Sequence, residues 1–153
     1  IVGSWLVYLF YWSHFKETED EDTVKGVFCT SPAIRNLPIN FFNEVIGTFM
    51  LVFGVFYIVG PTIDIHGVQI NGFGLGSLDA LPVGLLVWVI GLSLGGTTGY
   101  AINPVRDFGP RLVFFLIPRK NKISADWQYA WVPVFGPFMG ALLAGLLYIS
   151  IGQ

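Results

Sequence analysis

An all-α transmembrane fold is what this chain predicts, and three observations predict it. Charged residues make up 12% of its 153 positions and hydrophobic ones 54%, whereas a soluble domain carries roughly a quarter charged residues. The apolar residues gather into stretches that match a bilayer's need for about 20 helical residues. After the second of those stretches comes GYAINPVRDFGPRL (99–112), a polar, helix-breaking run where composition demands lipid-buried structure. Broken backbone at membrane depth survives only where it lines a cavity or is sealed inside protein.

Composition also excludes functions. A net charge of −2 and a pI of about 5.5 leave no basic footprint for nucleic acid. Cys29 is the only cysteine, so neither an intrachain disulfide nor a cysteine-built metal cluster is open to it. His14 and His66 lack partners at metal-ligand spacing and read as solvated loop residues. Ser93, Thr97 and Thr98 have no histidine within the same span, which argues against nucleophilic catalysis. No metal and no cofactor are expected.

The elements follow in order. Residues 1–13, IVGSWLVYLFYWS, are too short to span and lack the charged start and cleavage site of a signal peptide. They read as the end of a span that begins outside this sequence. Residues 14–38, with the acidic run HFKETEDEDTVKG, read as a solvated loop; a cation-attracting mouth is the sharper alternative. Residues 39–60 are long enough to cross with some tilt, with Asn40 as a candidate N-cap and Gly60-Pro61 as a stop. Glu44 in this span belongs either at headgroup level or inside the membrane with partners, where ionisable groups are functional by default.

Residues 61–80 read as a Gly-rich loop, because the run GFGLGS lacks the spacing and preceding strand of a phosphate site. Residues 81–98 form the next span. Val87 and Gly91 share a face four residues apart, and Gly91 with Gly95 makes a GxxxG pair. That pair suits either close helix packing or a pore widened by a missing side chain, and spacing leaves both open. Residues 104–117 are too short to cross; Asn103 suits an N-cap and Pro104 the first helical position. After a basic loop, residues 129–151 form a last span with Gly136, Gly140 and Ala144 in a small-residue stripe. Tyr129 and Trp131 are expected as interfacial anchors.

This pattern of span, span, half-span, span resembles the C-terminal half of the major intrinsic proteins, the aquaporin and aquaglyceroporin family, over essentially the whole chain. Its anchor is Asn103-Pro104-Val105-Arg106-Asp107, which looks like the family's second Asn-Pro-Ala signature followed by its arginine. The resemblance implies a right-handed bundle with a re-entrant half-helix. This chain would supply the second of two inverted repeats: 1–13 the end of helix 3, 14–38 an external loop, 39–60 helix 4, 61–80 a loop, 81–98 helix 5, 99–117 the re-entrant loop and half-helix, and 129–151 helix 6. Several positions look like the glycerol-conducting branch: Asp107 after the filter arginine, Arg111 four residues later, Pro133 early in the last span, and Gly91 twelve residues before Asn103.

By the same resemblance Gly91, Tyr100 and Arg106 form the selectivity filter, and Asn103, Pro104 and Val105 the pore midplane. Gly99, Tyr100 and Ala101 would offer backbone carbonyls, and Val87 would line the wall. Glu44, Asp107, Arg111 and Pro133 would be scaffold. Val105 departs from the usual alanine, Tyr100 from the phenylalanine of bacterial glycerol channels, and Ser31 from an aromatic in the external loop. The implied activity is passive passage of glycerol, water and other small uncharged solutes, including small neutral organic acids, with ions and protons excluded. The implied partners are the bilayer of the cell membrane, an N-terminal half of the same protein carrying the first signature, and three further copies in a homotetramer. The rival reading is a secondary transporter with a broken-helix site, which would need coupling carboxylates inside the spans; Glu44 and Asp107 are the candidates. The basic residues Arg119, Lys120 and Lys122 lie in a loop that the resemblance puts outside, against the positive-inside tendency.

Overall fold

The computed structural model describes residues 1–151 apart from 67, 72, 73, 75 and 122. Three of its helices are long and apolar enough to cross a membrane: α4 (Leu37–Phe56), α5 (Leu81–Thr98) and α7 (Trp127–Ile151). Ahead of them stand α1 (Val2–Phe10), α2 (Trp12–Glu17) and α3 (Glu21–Phe28), and between α5 and α7 lies α6 (Pro104–Leu116). At 1.5 Å per residue the 13 residues of α6 reach about 20 Å, short of a hydrocarbon core of about 30 Å. It is therefore a half-span.

Helix α4 begins earlier than its apolar run suggests. Asn36, not Asn40, is the N-cap, its side chain accepting from the Ile39 N–H. Asn40 is buried instead, taking the Asn36 N–H at 2.9 Å and donating to the Ile34 carbonyl at 3.1 Å. It fixes the chain's entry into the helix. The far end stops at Phe56, before Gly60-Pro61, in two tight i→i+3 bonds from Tyr57 and Ile58.

Two expected loops hold structure. In 14–38, Asp20 caps α3 through the N–H groups of Asp22 and Thr23 and also takes the Thr23 hydroxyl. Val24 and Phe28 then turn inward, joining Tyr8, Phe15, Cys29, Val113, Phe114 and Ile117 in one core. Burial there pushes the Cys29 thiol up to about 11. Arg119, in the basic loop, is clamped on Glu21 (2.8 Å) and on the Phe15 carbonyl (2.7 Å). In 61–80, β1 (Thr62–Ile65) and β2 (Val68–Asn71) pair antiparallel with Ile63 opposite Ile70, and His66 turns between them at φ 53°. Of the run GFGLGS, residues 72, 73 and 75 lie outside the described residues, as does Lys122; Gly76–Leu78 is a 3-10 turn.

The small-residue stripe of α7 is where two spans meet. A Cβ on Gly136 would stand 2.7 Å from the Glu44 Cβ, and one on Gly140 2.9 Å from the Phe49 backbone nitrogen. Pro133, Pro137 and Ala144 are buried on α7, so α4 lies backbone-close along this face. Trp131 is 40% exposed and stacks on Phe41. Tyr129 corrects its expectation: it is fully buried, with the guanidinium carbons of Arg35 and Arg111 6.0 and 5.9 Å from its ring centroid.

Candidate functional site

The site grows from the broken backbone between α5 and α6. Gly99 ends α5 in the left-handed region (φ 74°), its N–H still bonded to the Gly95 carbonyl at 2.9 Å. Tyr100 and Ile102 then take φ of 38° and 41°. A side-chain-bearing residue held there costs about 1–3 kcal/mol, so something must hold the strand.

Glu44 does so. Its carboxylate is 1% exposed; one oxygen accepts from the Ala101 N–H (3.0 Å) and the Thr98 hydroxyl (2.6 Å), the other from the Ile102 N–H (2.7 Å). Hydrogen bonds to a charged group contribute about 1.5–3 kcal/mol each, enough for three of them to offset two strained residues. Helix α4 makes room for the strand as well. A Cβ on Gly47 would meet the Ile102 side chain at 2.9 Å, a requirement visible only once the two segments are adjacent.

Asn103 closes the broken stretch. Its side-chain oxygen accepts from the Val105 N–H at 2.9 Å and caps α6, which commits the oxygen and leaves the amide NH₂ to point elsewhere. Pro104 follows at N1, where a missing N–H is harmless. Val105 is 71% exposed beyond the cap.

A cleft of about 220 Å³ is lined by Leu51, Val87, Tyr100, Ala101, Ile102, Asn103 and Arg106. It gathers four elements of the fold. The Arg106 guanidinium lies over the Tyr100 ring, its carbon 5.2 Å from the centroid, and no ion pair engages it among the described residues. The Gly99, Tyr100 and Ala101 carbonyls likewise meet no backbone donor among those residues. Arg106 also borders a second hollow with Cys29, Thr30, Ser31 and Gly99. Gly91 does not line the cleft; it backs the Tyr100 ring.

Asp107 and Arg111 are drawn the other way, into the protein, both 0% exposed. Arg111 Nε donates to one Asp107 oxygen and Nη2 to the other, each at 2.7 Å. The same carboxylate takes the Thr30 N–H (2.8 Å) and hydroxyl. Arg111 reaches on to the carbonyls of Thr30 and Ala125, tying the half-helix to the segments before α4 and α7. Adjacent helical residues do not face one another, and Arg106 and Asp107 diverge accordingly. Sequence spacing could not find Leu51, Gly47 and Ile102, because they meet their partners only across the fold.

Comparison with known proteins shows the family. The family model described as major intrinsic protein matches residues 1–148. A probable glycerol uptake facilitator protein of Thermotoga maritima is 50% identical over 147 residues, covering 96% of this chain and 58% of that protein. A D/L-lactic acid transporter of Lactiplantibacillus plantarum is 44% identical over 148 residues, covering 94% of the chain and 57% of its own length. Among solved structures, the aquaglyceroporin of Plasmodium falciparum superposes with a TM-score of 0.76 at 30% identity, over 98% of this chain and 58% of that one. The chain thus spans a little over half the length of these relatives.

Proposed function

This chain belongs to the major intrinsic protein family, a family of multi-pass membrane proteins, and from that premise we propose that it forms one wall of a passive channel for glycerol, water and other small uncharged solutes. The observation that carries the proposal is the pairing of Asn103 and Arg106 on one cleft, each with N–H donors that no protein acceptor takes among the described residues. A solute oxygen supplies what they lack.

Each residue then has a part. Asn103, with Pro104 and Val105, marks the midplane, where the N-terminus of α6 adds positive dipole charge. Arg106 and Tyr100 form the filter, to which Gly91 contributes only by backing the Tyr100 ring; the guanidinium offers up to five N–H donors and a permanent charge, binding hydroxyl oxygens while repelling cations. The carbonyls of Gly99, Tyr100 and Ala101 accept hydrogen bonds from the solute's hydroxyls. Val87 and Leu51 give its carbons an apolar wall. A water held by two donors has no lone pair free to relay a proton. Glu44, Asp107, Arg111 and Pro133 are scaffold.

The exposed face around Val105 is covered, in this reading, by an N-terminal half bringing its own half-helix. The chain is the C-terminal part of one aquaglyceroporin domain, and four copies assemble in the cell membrane. The lactic acid transporter among the relatives supports small neutral organic acids as further solutes. A coupled transporter is the lesser reading, because Glu44 and Asp107 are both saturated by the fold. Stopped-flow light scattering of proteoliposomes carrying the full-length protein tests the proposal. Glycerol flux linear in its gradient, with weak temperature dependence, is expected; saturable, proton-coupled uptake would sink it.

A further inference from the structure

Tyr100 is seated by a helix it does not belong to. A Cβ on Gly95 would stand 2.6 Å from Cδ1 and 3.1 Å from Cε1 of the ring, and one on Gly91 would stand 3.2 Å from Cε2 and Cζ. These contacts run from the Cδ1 to the Cε2 corner of the ring, so the ring packs against a single turn of α5. The Arg106 guanidinium lies over the same ring, 5.2 Å from its centroid. Spacing alone left this GxxxG pair undecided. Among the described residues the nearest neighbour of both glycines is an aromatic ring.

We propose that Gly95 is a specificity-determining positioning residue, which sets the width between Tyr100 and Arg106 by letting the ring withdraw against α5. Gly95 touches no solute itself, and the inference rests on the cleft being the solute path. The two glycines are not equivalent. At Gly91 the nearest ring atoms are at the distal end, which a small tilt can move. At Gly95 the nearest atom is Cδ1, close to a backbone whose φ of 38° is fixed through the Glu44 bonds to Ala101 and Ile102. Ordinary carbon contacts are about 3.5–4.0 Å, so a methyl at Gly95 drives the ring about 1 Å toward Arg106. Alanine favours helix over glycine, so α5 itself is not handicapped by the change.

The test measures glycerol and water permeability of the full-length protein in proteoliposomes. Gly95→Ala is expected to lower glycerol permeability about tenfold and water permeability by less than about twofold, since passage follows pore width. In a Tyr100→Ala background the same substitution should change neither by more than about twofold, whereas with Tyr100→Phe the loss of glycerol should persist. Equal loss of both solutes, or a loss that survives removal of the ring, would overturn the inference. Should Gly95→Ala fail to fold, the double variant with Tyr100→Ala must fold; if it does not, Gly95 is a packing residue. A Tyr100→Ala variant indistinguishable from wild type would instead overturn the solute-path reading.

Discussion

Glu44 and Asp107 are both almost wholly buried, at 1% and 0% exposure, and both attach to the chain around α6, yet they are satisfied by opposite means. Glu44 meets no cation among the described residues: two backbone N–H groups and one hydroxyl converge on it. Asp107 meets Arg111 in a two-pronged pair and uses its spare capacity on Thr30. The first carboxylate stands in for secondary structure, accepting from backbone N–H groups in the non-helical run between α5 and α6. The second is an ion pair that staples three segments together. A pair of charges can be removed together; a lone acceptor for backbone donors has no such substitute.

The comparison breaks most readily at Glu44. Glu44→Ala orphans three donors, and each unsatisfied buried group costs about 1–3 kcal/mol. We expect the largest loss here, about 3–9 kcal/mol, read as failure to recover a monodisperse protein in detergent. Even Glu44→Gln should be severe, because it brings an NH₂ to a point where donors already converge. A Glu44→Ala melting temperature near that of wild type would end the distinction.

Asp107→Ala comes next, at about 3–5 kcal/mol, because it strands a buried guanidinium. The double variant Asp107→Ala/Arg111→Met should be less damaging than Asp107→Ala alone. Denaturant or thermal unfolding in detergent would show this, and simple additivity would mean that Asp107 and Arg111 do not act as a unit.

How much of this was legible in the sequence depends on whether the cause was local. The Asn103-Pro104 helix start is a matter of adjacent residues, and the three long spans follow from composition. The alternation TIDIHGVQIN has the period and two-residue turn of a hairpin, and a Gly-rich reading of 61–80 passed over it. The acidic run at 14–38 hid the spacing of Val24 and Phe28, one helical face of α3. Asn40 looks like a cap because it stands at the edge of the apolar run, whereas the helix starts earlier, at Asn36, because Leu37 and Pro38 fit within the first helical turn. Glu44's role was open on residues alone and came from family resemblance, since its partners lie 54 to 58 residues away. The Gly91–Gly95 pair stayed ambiguous for the same reason.

The smallest effect sharpens the contrast with a surface pair. Arg35 donates twice to Asp126, at 2.6 and 3.1 Å, and this hydrogen bonding holds the Asp126 carboxyl below the usual carboxylate range. A depressed carboxyl contributes stability that is complete above its unfolded value, about 3.9, and lost as pH falls through the folded one. The difference in melting temperature between wild type and Arg35→Ala should therefore be small and flat from pH 8 to about 5, begin to fade near about 4, and vanish only once pH falls below the lowered folded value. A difference that fades between pH 7 and 5 would assign the effect to another group.

The central claim is that the strand from Gly99 to Asn103, with Arg106 above it, bounds a path for neutral solutes and bars ions. Ion conductance of the full-length protein in planar bilayers, wild type against Arg106→Ala, tests it most directly. Wild type should be silent to ions while conducting glycerol in parallel vesicles, and Arg106→Ala should admit a measurable ionic current. An Arg106→Ala protein that still excludes ions as wild type does would contradict the account.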